Sequence, residues 1–444
     1  MNRREFMAAG IALAVAAANA DALQSAPAAA VANPSTKPPL FPDDIQFWYE
    51  TMRAFGASSY GGSEFGEVLA AVNRIESGNY DSWYEAWHAT AERVAAAATS
   101  QLAHGHRISA RDGFLRAATY YRASEFFLHG NPGDPRIAGA YRKSVDSYQA
   151  SAKLFLPAIE PVEIPYEHTT LPGYFHRPHR GHRRRPTILM HSGFDGSAQE
   201  LHLGPARAAV ERGYNVLAFD GPGQFEPLHR EHLTFRPDWE RVVTPVVDFA
   251  VKLPGVDRKK IALMGISFGG ELAPRAAAYE KRIAALIAND GIYDYGAANL
   301  SSVPPAQLAA VKQMLMAAQA PALDAALAMA MKRSPTAKWG ITHGMYAMGA
   351  PTPRAYLAAA LAYTLSDGVA EKIACPTLVC EAEDDMFTQG QPQELFNHLT
   401  CPRTLMHFTR AEGAGAHCQV GAERLAYGRI YDWLDETLGV SAAT

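Results

Sequence analysis

The chain of 444 residues is long enough to bury a large core and to hold two domains. A net charge of −4, from 41 basic and 45 acidic residues, excludes a nucleic-acid or other polyanion binder by charge, and the ordinary globular composition excludes a fibrous or disordered chain. The one basic run, HRPHRGHRRRP at 176–186, is broken by Pro178 and Gly181, so it reads as a solvated loop. The same breaks keep His176, His179 and His182 off a common helical face, so no metal site is expected there.

Residues 1–22 carry the three regions of an export signal: MNRREFM, the apolar run AAGIALAVAAA, and the small-residue stretch ANADA. Arg3 and Arg4, followed by Glu5-Phe6-Met7, resemble a twin-arginine signal, which predicts a periplasmic or secreted protein. The apolar run is too short to span a bilayer, so no stable membrane insertion is expected once the signal is removed. Residues 23–42 read as a flexible linker. The four cysteines, at 375, 380, 401 and 418, lie far from any C-x-x-C spacing, so free buried thiols are expected and no zinc site.

From 43 to 160 the apolar residues recur at three-and-four spacing in DDIQFWYETMRAF, SEFGEVLAAVNRI, YDSWYEAWHATAERVAAAATSQL, ARDGFLRAATYYRASEFFL and YRKSVDSYQASAKLF. This predicts an all-helical N-terminal domain, with Asp81, Ser82 and Glu85 opening the third helix. Trp48, Tyr49, Trp83 and Trp87 in these helices are core residues or aromatic pocket walls.

From 161 to 444 the pattern changes. VEIPYE and LPGYFHRP are strand-like, and PTILMHSGF, YNVLAFDGPG, KKIALMGIS, IAALIANDG, PTLVCEAEDD and RTLMHFTRAEG are short apolar runs ending in Gly, Asp or Ser. Helical stretches separate several of them, so the fold class is α/β, a mostly parallel doubly wound sheet covered on both faces. Residues 296–365 interrupt the alternation with an Ala- and Met-rich helical insertion. Sites in such sheets sit at the carboxyl ends of the strands, which here carry Gly193, Phe194, Asp195, Asp220, Ser267, Asp290, Asp384 and His417.

Gly265-Ile266-Ser267-Phe268-Gly269 follows an apolar strand and opens a helix, the context of a nucleophile elbow. A serine hydroxyl needs a base to take its proton, and that base an acid to orient it. His417, in the Gly-rich loop AEGAGAHC before the last helix, is the expected base. His407 competes but lies within a strand. Asp384 is the expected acid by its distance from the strand end, with its neighbour Asp385 as the alternative. The order Ser267, Asp384, His417 is that of the α/β-hydrolases. Phe268 and Phe194 are the expected backbone donors of an oxyanion hole, with Gly193 as second choice to Phe194.

The stretches HSGFDGSAQE, LAFDGPGQ, IALMGISFGGELAPRAAAYEKRIAALIANDG and AHCQVGAERLAYGRIYDWL resemble the α/β-hydrolase superfamily. The resemblance is nearest to the subgroup of 2,6-dihydroxypseudooxynicotine hydrolase, the fungal pigment hydrolase that shortens a polyketide chain, and fermentation-respiration-switch type esterases. It implies the same triad and oxyanion donors, no cofactor, a homodimer, and a pocket between helical domain and core. The subgroup has a glycine where this chain has Phe225, which puts a bulky ring at the expected pocket mouth.

The subgroup also implies two chemistries, cleavage of an ester or of a carbon–carbon bond beside a ketone. The second needs an extra acid for the carbanion leaving group, for which Asp195, Tyr293 and Asp294 are candidates. The expectation is therefore a serine hydrolase of small to medium, aromatic or polyketide-like molecules. A carbon–carbon bond hydrolase of 1,3-diketone type substrates is the alternative. A peptidase and a binding protein that has lost the chemistry are the remaining readings.

Overall fold

In the computed structural model, residues 40–179, 181 and 183–440 are described; the expected signal, nearly all of the expected linker, and His182 lie outside them. Five helices come first: α1 (Ile45–Gly56), α2 (Phe65–Val72), α3 (Tyr80–Ala103), α4 (Arg107–Glu125) and α5 (Pro135–Ala152). Side chains cap them where the sequence supplies an oxygen. Asp44 accepts from Phe47 N, Asp134 from Arg136 N, and Asn79 caps α3, so Asp81 and Ser82 fall in its first turn. The apolar stripes converge on Phe47, Trp83, Trp87, Tyr120 and Phe127, a core separate from that of the sheet.

The remainder is an α/β unit, in chain order β1 (Glu160–Tyr166), β2 (Thr169–His176), β3 (Arg185–His191), α6 (Pro205–Glu211), β4 (Asn215–Phe219), α7 (Phe225–Glu231), α8 (Glu240–Ala250), β5 (Val256–Ile266), α9 (Gly269–Tyr279) and β6 (Ala285–Asn289). After it come α10 (Tyr295–Asn299), α11 (Pro305–Met316), α12 (Pro321–Arg333), α13 (Pro335–Ala347) and α14 (Pro353–Ala360), which form the insertion. The chain then returns through β7 (Thr377–Ala382), α15 (Gln391–His398), β8 (Arg403–Phe408) and α16 (Glu423–Leu438). The sheet order is β1-β2-β4-β3-β5-β6-β7-β8; β1 and β2 are antiparallel and the six strands from β4 to β8 run parallel.

The central stretches of β3 to β7 are apolar because both sheet faces are covered there. One face packs on α8 and α9 through Leu189, Leu217, Leu263 and Val246; the other packs on α6 and α16 through Ile188, Met264, Ile430 and Tyr431. All four cysteines are free thiols; Cys380 is buried and the other three are half-buried.

The turn from β5 into α9 is tightly closed. A methyl group on Gly265 would lie 1.9 Å from the Gly269 carbonyl oxygen, so no larger residue fits without moving backbone. Gly265→Ala is expected to lower the thermal midpoint by the equivalent of about 3 kcal/mol or more. Differential scanning calorimetry against the parent chain checks this; an unchanged midpoint would show that the turn relaxes freely.

Candidate active site

The turn holds Ser267 at φ 60°, a left-handed backbone that a non-glycine residue adopts only when its surroundings enforce it. Here they do: Ser267 N donates to Asn289 O, and Ser267 O accepts from Gly270 N at 2.7 Å. The side chain is thereby lifted above the carboxyl ends of β5 and β6, where His417 Nε2 lies 2.8 Å from Ser267 Oγ.

The carboxylate behind His417 is Asp385, not the expected Asp384. Asp385 Oδ2 lies 2.8 Å from His417 Nδ1 and accepts from the Thr388 hydroxyl at 2.6 Å, while Oδ1 accepts from Phe387 N and Thr388 N at 2.7 and 2.9 Å. Asp384 turns outward instead, onto the guanidinium of Arg410. The reason is the turn after β7, closed by Asp385 N on Ala382 O, which sends the two adjacent side chains to opposite sides. His407, the other candidate base, stays at the sheet edge with Glu381.

A second carboxylate stands at the same ring. Asp290, wholly buried at the end of β6, lies 3.3 Å from His417 Nδ1 and accepts from Cys418 N and Gln419 Nε2, both at 2.8 Å. Burial, then the charge of Asp385, pushes its pKa up to about 6. For His417, burial works against the charged form, but Asp385 and the groups around it more than offset this and hold its pKa well above the ordinary imidazole value. Burial likewise works to raise Asp385, yet His417 and the Thr388 hydrogen bonds hold it below the usual carboxylate range.

Ser267 and His417 open onto a cavity of about 280 Å³ between the helical domain, the insertion and the core. Its walls are largely apolar and carry the rings of Phe126, Phe194, Tyr295, Trp339, Tyr356 and Phe387. Phe194 and Phe268 both line it, and neither of their N–H groups is bonded to another group of the protein among the described residues. Gly193 brings these two amides together: a methyl group there would lie 2.5 Å from Phe268 N. Of the four helical-domain aromatics, Tyr49 and Trp83 line the cavity, and Tyr49 also donates to the His417 carbonyl at 3.2 Å; Trp87 is core.

The other expected pocket residues divide. Asp195 lines the cavity, bound by Arg53 at 2.8 Å. Phe225 does not; as the first residue of α7 it is buried among Tyr141, His229 and the Arg122 guanidinium, so it packs domain against core rather than lining the cavity. Tyr293 stacks on His398 with ring centroids 4.2 Å apart, and Asp294 caps α10 by accepting from Ala297 N at 2.7 Å; neither lines the cavity.

The sequence reading missed Glu50, Arg53, Arg122 and Glu200, which gather at the cavity wall around Asp195. The signal was available in α1, where Gln46, Glu50 and Arg53 form a polar stripe at i, i+4 and i+7 in an otherwise apolar helix. Burial, opposed by Arg53 but reinforced by Asp195 and Glu200, pushes the Glu50 carboxyl up to about 8, so it holds its proton at neutral pH.

Residues 56–333 match the family model described as "Esterase FrsA-like". Hydrolase LUC6 of Fusarium sp is 33% identical over 419 residues, covering 90% of this chain and 98% of that protein. The 20-hydroxy-prefusarin hydrolase FUS2 of Gibberella moniliformis is 34% identical over 420 residues, with the same coverage of 90% and 98%. The crystal structure of a 2,6-dihydroxy-pseudo-oxynicotine hydrolase superposes with a TM-score of 0.65 at 23% identity, covering 88% of this chain and 97% of that one. The chain belongs to the FrsA-like family of α/β-hydrolases.

Proposed function

We propose that the chain is a serine hydrolase of small to medium aromatic or polyketide-like molecules, working without a cofactor. One observation carries this reading: the unbroken line from Ser267 Oγ through His417 to Asp385, opening on an aromatic cavity. A relative named as a 20-hydroxy-prefusarin hydrolase supports a small-molecule substrate.

In this reading His417 Nε2 takes the Ser267 proton as the oxygen attacks the substrate carbonyl. The oxyanion is held by the N–H groups of Phe194 and Phe268. The leaving group departs with the proton from His417, and water activated by the same imidazole releases the acyl group. Asp385 holds the Nδ1–H tautomer and stabilises the imidazolium.

Asp385→Asn is expected to cut kcat about 1,000-fold or more, as loss of the orienting carboxylate does in such triads. Asp384→Asn, which alters the outward pair with Arg410 and leaves the His417–Asp385 contact in place, is expected to stay within about twofold of the parent. Equal losses in the two variants would return the role to Asp384.

His417 acts as a base only when neutral, and its pKa is raised. The acid limb of kcat/KM is therefore expected above the ordinary imidazole range near about 6.5, with activity rising as pH rises through it. In Asp385→Asn the limb should move to lower pH, because the largest favourable charge at the imidazole is gone. A pH–rate profile of both proteins checks the direction.

Glu50 favours a second reading, cleavage of a carbon–carbon bond beside a ketone. That reaction expels a carbanion, and a protonated carboxyl on the cavity wall is a source of the proton it needs. Turnover of an aryl ester and of an aryl 1,3-diketone, each in the parent, Ser267→Ala and Glu50→Gln chains, separates the two. Diketone cleavage lost in Glu50→Gln, with ester cleavage kept, supports the second reading; no diketone cleavage in the parent retires it. Fluorophosphonate labelling of Ser267 distinguishes either enzyme from a binding protein.

Export and a homodimer belong to the same proposal on sequence grounds, the first on Arg3-Arg4 and the apolar run that follows. N-terminal sequencing of the periplasmic fraction is expected to find the mature chain starting after Ala20 or Ala22. A periplasmic chain that still begins at Met1, or none in that fraction, refutes the signal. Light scattering of the purified protein gives the oligomeric state.

A further inference from the structure

A buried chain of polar groups runs from the helical domain to the loop carrying Phe194. His343, on α13 of the insertion, places its Nε2 2.8 Å from the Phe194 carbonyl oxygen. A carbonyl only accepts, so this nitrogen carries a hydrogen. Its Nδ1 lies 2.8 Å from Nδ1 of His129, which sits in the 3-10 turn Leu128–Gly130 after α4. Burial and then the neighbouring His129 push the His343 pKa down to about 3, so His343 is neutral and its Nδ1 accepts. His129 Nδ1 must then be the donor.

The other nitrogen of His129 lies 2.6 Å from Glu125 Oε2. The two atoms stand at ion-pair distance but not in hydrogen-bond geometry, and neither has another hydrogen-bond partner among the described residues. Glu125 is suited to face His129: burial works to raise its pKa, but His129 and Arg122 more than offset this and hold it ionised. Arg122 takes the second carboxylate oxygen. The other polar groups around the three are His229, whose ring centroid is 6.0 Å from that of His129, Tyr346 stacked on His129, and the Asp195 carboxylate.

The donor atoms of Glu125, His129 and His229 lie within 4.8 Å of one another, which invites a metal reading. The Nε2–Oε2 separation argues against it. Two ligands of one tetrahedral zinc ion, each at about 2.0–2.1 Å, stand about 3.3 Å apart, whereas these two atoms are only 2.6 Å apart.

We propose that Glu125, His129 and His343 form a relay of positioning residues that fixes the Phe194–Asp195 peptide and thereby aims the Phe194 N–H into the cavity. The proposal rests on the reading of that N–H as an oxyanion donor. The relay does not touch the donor itself; it pins the carbonyl of the same residue. The next carbonyl, that of Asp195, is held by Arg122, and the Asp195 carboxylate by Arg53. Rotation of Phe194 away from the elbow would break all of these at once. The helical domain and the insertion thus set the geometry of a loop that belongs to the core.

The proton count is tested directly by nitrogen-15 spectra of the full chain labelled in histidine, at pH 7.5, with His129→Gln and His343→Gln as assignments. A ring protonated on Nδ1, assigned to His129, and a neutral ring protonated on Nε2, assigned to His343, are expected. A His129 ring bare at Nδ1 or an Nδ1-protonated His343 would overturn the relay.

The positioning role is tested by ester turnover per fluorophosphonate-reactive Ser267. His343→Ala should lose about tenfold or more in kcat with KM within about twofold, less than deleting an oxyanion donor outright. His343→Gln, whose amide still donates, should recover most of that loss. Unchanged kcat per labelled serine in His343→Ala, whatever its thermal midpoint, would overturn the role. If Ser267→Ala keeps its turnover, the serine reading fails instead, and the histidine spectra stand apart from that result.

Discussion

The close approach of two backbones, Ser192–Gly193 and Phe268–Gly269, is the constraint on which the site depends. A methyl group on Gly193 would sit 2.5 Å from Phe268 N, and one on Gly269 would sit 2.7 Å from the Ser192 carbonyl oxygen. Contact this tight brings the two unbonded amides to one point beside Ser267. It also leaves the β3 loop no freedom to retreat, because the elbow it rests on is anchored at both ends by β5 and α9. Electrostatic stabilisation of a developing charge needs donors that do not reorganise, and main chain packed on main chain supplies that rigidity.

Each added layer then serves the same loop from outside. Arg53 and Arg122 reach it from the helical domain, His343 from the insertion, and Gln224 Nε2 from the core, donating to Ser192 O at 2.6 Å. The charged groups among these are buried or half-buried and mutually paired, which is costly as a source of stability but effective at imposing one arrangement. The same network leaves one surplus acid, and Glu50 answers by keeping its proton. A neutral carboxyl in an aromatic cavity is therefore a by-product of holding the loop still.

How much of this could be read from the residues depended on whether each signal was local. The parallel strands were legible because burial on both faces makes their central stretches apolar, and the elbow because glycine, serine and helix start adjoin in sequence. The order of nucleophile and base along the chain was legible for the same reason. The acid was not: Asp384 and Asp385 are equivalent until Arg410, 26 residues on, draws one outward and Thr388 holds the other in. The helical domain gave its helices but not its faces, since nothing in α1 says which stripe meets the core. Phe225 misled because the resemblance placed it at a cavity mouth, whereas Tyr141 and Arg122 draw it into the domain junction.

Tyr49 donates to the carbonyl of His417 across 368 positions of the chain. On a ribosome this wall of the cavity emerges long before the imidazole it must meet. Closing so large a loop delays the contacts that reward it, so the core has to gather before the site exists. Until His417 has been made, the nascent chain holds its acids, base and serine apart. Chemical competence arrives in one late event, when the two distant parts of the polypeptide are joined.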